Sequence, residues 1–507
     1  MPQAFFPFGM RRADDAGPGS HRTPPPNAAG LKTQCGCDGG TLRLGSTQDV
    51  WSRLVPASVA AAEINGIRLD LLVSTLCELG RVERLADLGT NGPLLASAGA
   101  DSLFHCLFGR DSIRMALDLL DDFPAVARAT IVELARLQGV GDNPRAEEEP
   151  GRILHEHRHP DDPHAARLAA YWDFPYYGAV DTTPQWINLL GAYCARYGLD
   201  LLDATVTDRL WRRVTLRDSL LAALAWVVAR MDNPIGDGYL WVRRAQPEGI
   251  PNQVWEDSPD SYHHADGSLF DFQQPYAPVA VQSYAHQALL VGADLLERSP
   301  GPLPVDVAAM RARAAALRER VLAEFWQADL GTFAQALTFD PDGRARPARV
   351  VASSAGHLLD GRLLEGDDAR AHRHALIARF SEPDLVAGAG VRTKSTSAPR
   401  FRAGSYHNGS SWPMDTGVIA DGLRRWDQHA AADDLELRIL DGCRAVGGFP
   451  EFFRGDPDGG LRVNEAVLDA VVDGVINRLE QPPQANQGWT VTRVWRILRR
   501  QKVLALA

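Results

Sequence analysis

The sequence predicts an all-α toroid built from helical hairpins, with its chemistry carried in long loops. Segments of roughly 12 to 20 residues with apolar side chains at i, i+3, i+4 and i+7 recur from about residue 50 onward. Short and long connections alternate between them, and the long ones are rich in Gly, Pro, His and Asp. Strand-like alternation is sparse.

The helical elements follow in order. Ile113 to Leu120 repeats through Ile113, Ala116, Leu117 and Leu120, and Ala125 to Leu137 through Ala127, Ile131 and Leu134. Pro184 to Tyr197 carries Trp186, Leu189, Leu190 and Tyr193, and Ser219 to Met231 carries Leu220, Ala223, Leu224 and Val227. In Pro278 to Leu296 the stripe is Ala285, Ala288, Leu289, Ala293 and Leu296, and in Val305 to Phe325 it is Met310, Ala314, Leu317 and Val321. Thr416 to Trp426, Ala430 to Val446 and Gln487 to Val503 complete the set, the last through Val491, Val494, Trp495 and Leu498. Residues 1–48, rich in Gly, Pro, Asn, Ser and Arg, bury too little apolar surface to order alone and read as a flexible arm. Residues 49–507 read as the catalytic domain.

Composition narrows the partners. The 507 residues are 45% apolar and 23% charged, which suits a globular chain with a large core. A net charge of -11 argues against a nucleic-acid or anionic-membrane binder, because both need a basic face. No apolar run approaches the roughly 20 residues that span a bilayer, and the first residues lack a basic segment followed by an apolar one, so the expected location is cytoplasmic. Cys77, Cys106, Cys194 and Cys443 fall in apolar helical segments as reduced thiols, whereas Cys35 and Cys37 read as tail sequence.

Two distant carboxylates carry the chemistry. Asp257, in Val254-Trp255-Glu256-Asp257-Ser258, and Glu451, in Phe449-Pro450-Glu451-Phe452-Phe453, each lie beside aromatic residues that desolvate a carboxyl. Glycoside cleavage needs such a pair, one protonated to release the leaving oxygen and one ionised to activate water or attack the sugar. Three further segments carry sugar-type groups: Leu107 to Ser112 with Arg110 and Asp111, Tyr176 to Trp186 with Tyr177 and Asp181, and Gly404 to Thr416 with His407, Asn408, Trp412 and Asp415. Arg beside a carboxylate can grip vicinal hydroxyls, although Asp111 and Asp181, read singly, would serve equally as helix caps. The histidines of His155-Glu156-His157-Arg158-His159 lack the i, i+4 spacing of zinc proteases, and no metal is expected.

The order of these motifs resembles that of the bacterial amylo-α-1,6-glucosidases of the glycogen debranching type, relatives of the glucoamylases. The matching stretches are Leu107 to Ser112, Glu149 to Glu156, Tyr176 to Pro184, Asn252 to Ser258, Ser405 to Pro413 and Pro450 to Phe453, spread over most of residues 100 to 500. The resemblance implies an (α/α)6 barrel and an exo-acting, inverting α-glucosidase on a glucan branch or short α-glucoside, with no cofactor. It implies Asp257 as general acid and Glu451 as general base. Arg110 and Asp111 would hold the terminal sugar, and Trp412, Asp415, His407 and Asn408 would line its pocket, with Tyr177, Asp181 and Trp255 completing the site.

Two departures bear on the substrate. Only about 100 residues precede Phe108, where many relatives of that kind carry a β-rich domain, so contacts to a branched polymer would be missing and a smaller glycoside is an alternative substrate, while the sequence leaves open whether the acceptor side is glucan, glycerate or another aglycone. The stretch from Arg462 to Gln484 is long and acidic, and Glu480 in it is a rival base. A phosphorylase or epimerase on the same toroid, or a non-catalytic sugar-binding protein, are the alternatives. A phosphorylase needs basic residues near Glu451, where only Arg454 stands close in sequence.

Overall fold

The computed structural model describes residues 11–12, 42–43, 63–64, 66–99, 102–232, 238–300, 305–340, 342–462, 467–472, 475–480, 483–502 and 504–505. The expected N-terminal arm lies outside them except for two dipeptides, as do Cys35, Cys37 and the side chain of Glu480. Among the described residues twelve helices follow in order. They are α1 (Leu69–Leu79), α2 (Gly109–Asp118), α3 (Pro124–Arg136), α4 (Thr182–Tyr197), α5 (Leu216–Met231) and α6 (Val279–Arg298). Next come α7 (Val307–Arg320), α8 (His357–Asp360), α9 (Arg370–Arg379), α10 (Pro413–Arg425), α11 (His429–Val446) and α12 (Gly488–Arg500). A further single turn, Ala165–Leu168, sits in the loop between α3 and α4.

The even-numbered helices form an inner ring. Each touches the next, from α2 through α4, α6, α8 and α10 to α12, and α12 packs back on α2 to close it. The odd-numbered helices lie outside, α1, α3, α5, α7 and α11 packing on inner helices and α9 on the 3-10 segment that precedes α8, giving the toroid of helical hairpins that the periodicity predicts, with the six that the resemblance implies. Local sequence sets the ends: Thr215 and Asp218 form a capping box at the start of α5, Asp306 accepts from the Ala309 N–H at α7, and proline opens α3 and α10. At the end of α11, Gly447 takes a left-handed φ of 68°. One buried apolar cluster runs from Ile67 to Leu504.

The observed helices agree with the expected ones to within a few residues, with three additions. The helix α1 carries a stripe, Leu69, Leu72, Val73 and Leu76, that the reading passed over, whereas α8 is a single turn after the 3-10 segment Ser353–Gly356 and α9 buries only Leu376. Strand content is low, as expected, apart from the antiparallel hairpin Val467–Val472 with Val475–Glu480, in the stretch that reads as long and acidic. Among the described residues no helix is long and apolar enough to cross a membrane.

Candidate active site

The inner helices present their N-terminal turns at one end of the ring, and the polar motifs lie there. Helix α2 begins at Gly109, where an added Cβ would stand 2.2 Å from the Leu154 carbonyl oxygen, so only glycine lets the helix start this close. Arg110 and Asp111 occupy its first turn, both buried. The Arg110 Nη1 donates to both Asp181 carboxylate oxygens at 3.2 and 3.3 Å, and Nη2 reaches Asp257 Oδ2 at 3.5 Å. Neither aspartate caps its helix: Phe108 holds the cap position of α2, and Asp181, at the cap position of α4, makes no bond to the helix N–H groups.

Asp257 is positioned through its neighbours. Glu256 forms a fully buried ion pair with Lys394, and the Ser258 hydroxyl meets His407 Nδ1 at 2.9 Å. Asn252 Nδ2 donates to the Ser258 carbonyl at 2.6 Å, and Asn408 Nδ2 to the Asp260 carbonyl at 2.9 Å. The loop backbone is thereby fixed on both sides, while the Asp257 side chain keeps 23% of its surface exposed, far more than any other expected site residue.

Glu451 lies in the loop between α11 and α12. Its Oε1 accepts from the Tyr406 hydroxyl at 2.8 Å, and its Oε2 from the Gln484 N–H at 3.0 Å. Asp111 accepts from Gln487 Nε2 at 3.0 Å, which ties the first turn of α2 to the cap of α12. Burial pushes Asp257 up to about 7 against the pull of Arg110, with Asp111 and Asp181 adding repulsion. Burial likewise pushes Glu451 up to about 8, offset by the Gln484 and Tyr406 donors, and Asp111 to about 6. Asp111 and Asp257 each raise Glu451, so the three carboxyls titrate as one electrostatic set.

An aromatic floor supports the cluster. Trp412 stacks on Phe452 (ring centroids 4.6 Å, 26°) and on His407 (4.8 Å, 16°), and meets Trp255 edge-on at 5.9 Å. Asp415 is fully buried and takes His357 Nε2 at 2.7 Å. Trp412, Trp255 and Asp415 are thus all buried, with 1%, 3% and 0% of their surface exposed. Tyr177 does not join them. Its hydroxyl donates to the Leu137 carbonyl at 2.6 Å and accepts from Arg209 at 2.8 Å, which turns it toward α3 rather than into the site.

Several contributing residues escaped the sequence reading. Tyr406 lies inside the Gly404 to Thr416 segment and Gln487 opens the last expected helix, and each donates directly to a site carboxyl. Lys394 had its own signal: it is the only lysine between Lys32 and Lys502, and such isolation fits a buried, paired role better than a solvated one. Arg454 pairs with Asp456 at 3.0 Å, so the cation a phosphorylase would use is engaged elsewhere. In the histidine cluster, Glu156 pairs with Arg158 and His155 packs edge-on against Phe108 and Tyr176. Among the described residues no group of three or more His, Cys, Asp or Glu could hold a metal ion.

Comparison with known proteins gives the family context. Residues 122–465 match the mannosylglycerate hydrolase MGH1-like glycoside hydrolase domain. A mannosylglycerate hydrolase of Rubrobacter radiotolerans is 31% identical over 192 residues, 36% of this chain and 40% of that protein. Among solved structures, the GH63 mannosylglycerate hydrolase of Thermus thermophilus in complex with Tris and D-glycerate superposes with a TM-score of 0.55 at 13% identity. That match covers 85% of this chain and 100% of the other. The complex of that enzyme with glucose gives 0.54 at 13% identity, over 85% and 98%. At such identity the likeness speaks for the fold, a six-hairpin glycosidase toroid. The class inferred from the motif order is met; within it, these matches point to MGH1-like enzymes rather than to amylo-α-1,6-glucosidases.

Proposed function

The chain belongs to the mannosylglycerate hydrolase MGH1-like glycoside hydrolase family, and we propose that it is an inverting, exo-acting α-glycosidase cleaving a hexose from a small carboxylated aglycone of the glycerate type. The observation that carries this reading is the pair Asp257 and Glu451, on loops almost 200 residues apart in sequence, raised together in one buried carboxyl cluster. Asp257 is the general acid. It is the more exposed group, and among the described residues its ion-pair partner, Arg110, stands at the long distance of 3.5 Å, which leaves its proton free to pass outward to the glycosidic oxygen. Glu451 is the general base. Two donors point at its oxygens and oppose the burial that raises it, and the assignment requires Glu451 to release its proton while Asp257 keeps its own in the productive state.

In the reaction a water gives its proton to Glu451 while its oxygen bonds to the anomeric carbon, and the bond to the aglycone oxygen breaks as Asp257 protonates it. The products are a hexose of inverted configuration and the free aglycone alcohol. Arg110, held by Asp181, and Asp111, held by Gln487, hold the terminal hexose by its hydroxyls. Residues 49–507 form the catalytic unit. The mannosylglycerate named for the Rubrobacter relative, and the D-glycerate present with the Thermus enzyme, support the aglycone class.

The test is kcat/KM over mannosylglycerate, glucosylglycerate, isomaltose, panose, maltose, trehalose, kojibiose and limit dextrin. The glycerate glycosides should exceed the neutral sugars by at least about 100-fold, well within the roughly 10,000-fold that a site built around a substrate's polar group can reach. Faster turnover of isomaltose or limit dextrin would instead support a branch-cleaving glucosidase, and sugar phosphate formed in the presence of phosphate would support a phosphorylase.

A further inference from the structure

The inner ring encloses a second chamber that the catalytic residues do not use. It has a volume of about 720 Å³ and runs from the middle of the inner helices to their C-terminal ends, opposite the carboxyl cluster. It meets solvent beside Asp121 and Arg196, whose side chains are 65% and 58% exposed. Seven arginines and five aspartates stand among its lining residues. Most are paired: Arg493 and Arg496 with Asp118 and Asp421, Arg499 with Asp122, and Arg500 with Asp421.

Arg114 differs from the rest. It is only 9% exposed, and its guanidinium rests 5.3 Å from the Tyr284 ring without a hydrogen bond or ion pair to any described residue. Beside it in the same chamber, Gln185 Oε1, Asn188 Oδ1 and Ser283 Oγ are buried without partners. Asp360, also in the wall, has no ion pair among the described residues. Native proteins rarely leave a guanidinium this buried and a nearby aspartate without a direct partner, and here both stand in the wall of one chamber. Guanidinium suits a carboxylate or phosphate, while carboxamide oxygens and an aspartate need donors such as hydroxyls. The volume is that of a small-molecule site.

We propose that this chamber is a second ligand site, taking a small hydroxylated anion whose carboxylate or phosphate sits on Arg114 and whose hydroxyls meet Asp360 and the other polar groups of the wall. The inference is independent of the substrate at the catalytic end. His357 joins the two ends, meeting Tyr284 of the chamber and Asp415 of the catalytic end.

Calorimetric titration of the full chain with D-glycerate, glycerol 3-phosphate and inorganic phosphate tests it. At least one hydroxylated anion should bind more tightly than phosphate. Its affinity should fall about 10-fold or more in Arg114→Gln and in Ala192→Phe, which fills part of the chamber, and stay unchanged in Arg110→Gln at the catalytic end. Melting curves check that each variant folds, and Ala192→Phe serves if Arg114→Gln does not. Three results would overturn the proposal: no binding of any probe, phosphate binding as tightly as the hydroxylated anions, or an affinity lost in Arg110→Gln but kept in both chamber variants.

Discussion

Lys394 determines where Asp257 stands, although the two side chains do not touch. The buried pair it makes with Glu256 anchors the residue before Asp257, as His407 anchors the residue after it. Removing one member of a buried pair strands the other charge, so Lys394→Met should cost about 3–5 kcal/mol, read as a lower denaturation midpoint, and Lys394→Met with Glu256→Gln should recover part of it. The carboxyl cluster carries its own cost. Asp257, Glu451 and Asp111 have folded values above their unfolded ones, so the native chain holds more protons from about pH 4 to 8 and these groups contribute less stability as pH rises. Glu451→Gln should therefore melt about 2 °C higher than wild type at pH 9 and show no gain at pH 5, where Glu451 is already protonated. A gain at both pH values would refute the charge argument. At this scale the sequence marked Asp257 and Glu451 by their aromatic neighbours, and the fold brings the two carboxyls close enough to act on each other. Tyr177 was not, because its direction depends on the Leu137 carbonyl 40 residues away, and Lys394 was not, because its partner lies 138 residues away.

Helix α2 starts four residues before Ile113, where the apolar repeat begins, and α10 three residues before Thr416. The cause is functional. Their first turns, Gly109-Arg110-Asp111-Ser112 and Pro413-Met414-Asp415, carry the polar groups of the site and its floor, so the periodicity appears only after them. Elements with a continuous stripe, such as α4, α5 and α12, were legible to within a few residues, whereas α8 is too short and α9 too exposed to show one. Gly109→Ala tests how tightly the start of α2 is seated. Its methyl group would collide with the Leu154 carbonyl, so we expect a loss of about 1–3 kcal/mol in urea unfolding. Because the shift would also displace Arg110, kcat/KM should fall by about 100-fold, the cost of a misplacement near 1 Å. Unchanged stability would mean that α2 tolerates a looser start.

Ring closure joins residues far apart in sequence, which is why the count of six hairpins cannot be read from periodicity alone. Asp111 meets Gln487 across 376 positions, and Arg496 of α12 meets Asp118 of α2 across 378. Asp421 of α10 is the hub of this closure. Burial alone would raise its carboxyl, but Arg493, Arg496 and Arg500 outweigh that and hold it well below the usual carboxylate range. Asp421→Ala should strand these arginines and cost about 3 kcal/mol or more, with unfolding that begins at α12 and shows as early hydrogen exchange there. The closed ring brings the loops of Asp257 and Glu451 to one mouth, and their joint action is best tested by the stereochemistry of the product. Proton NMR of the first hexose released from an α-glycoside of glycerate should show the β anomer, with release at least about 1,000-fold slower in both Asp257→Asn and Glu451→Gln. Initial release of the α anomer, or full activity in Glu451→Gln, would contradict the assignment of these two residues as the acid and base of an inverting glycosidase.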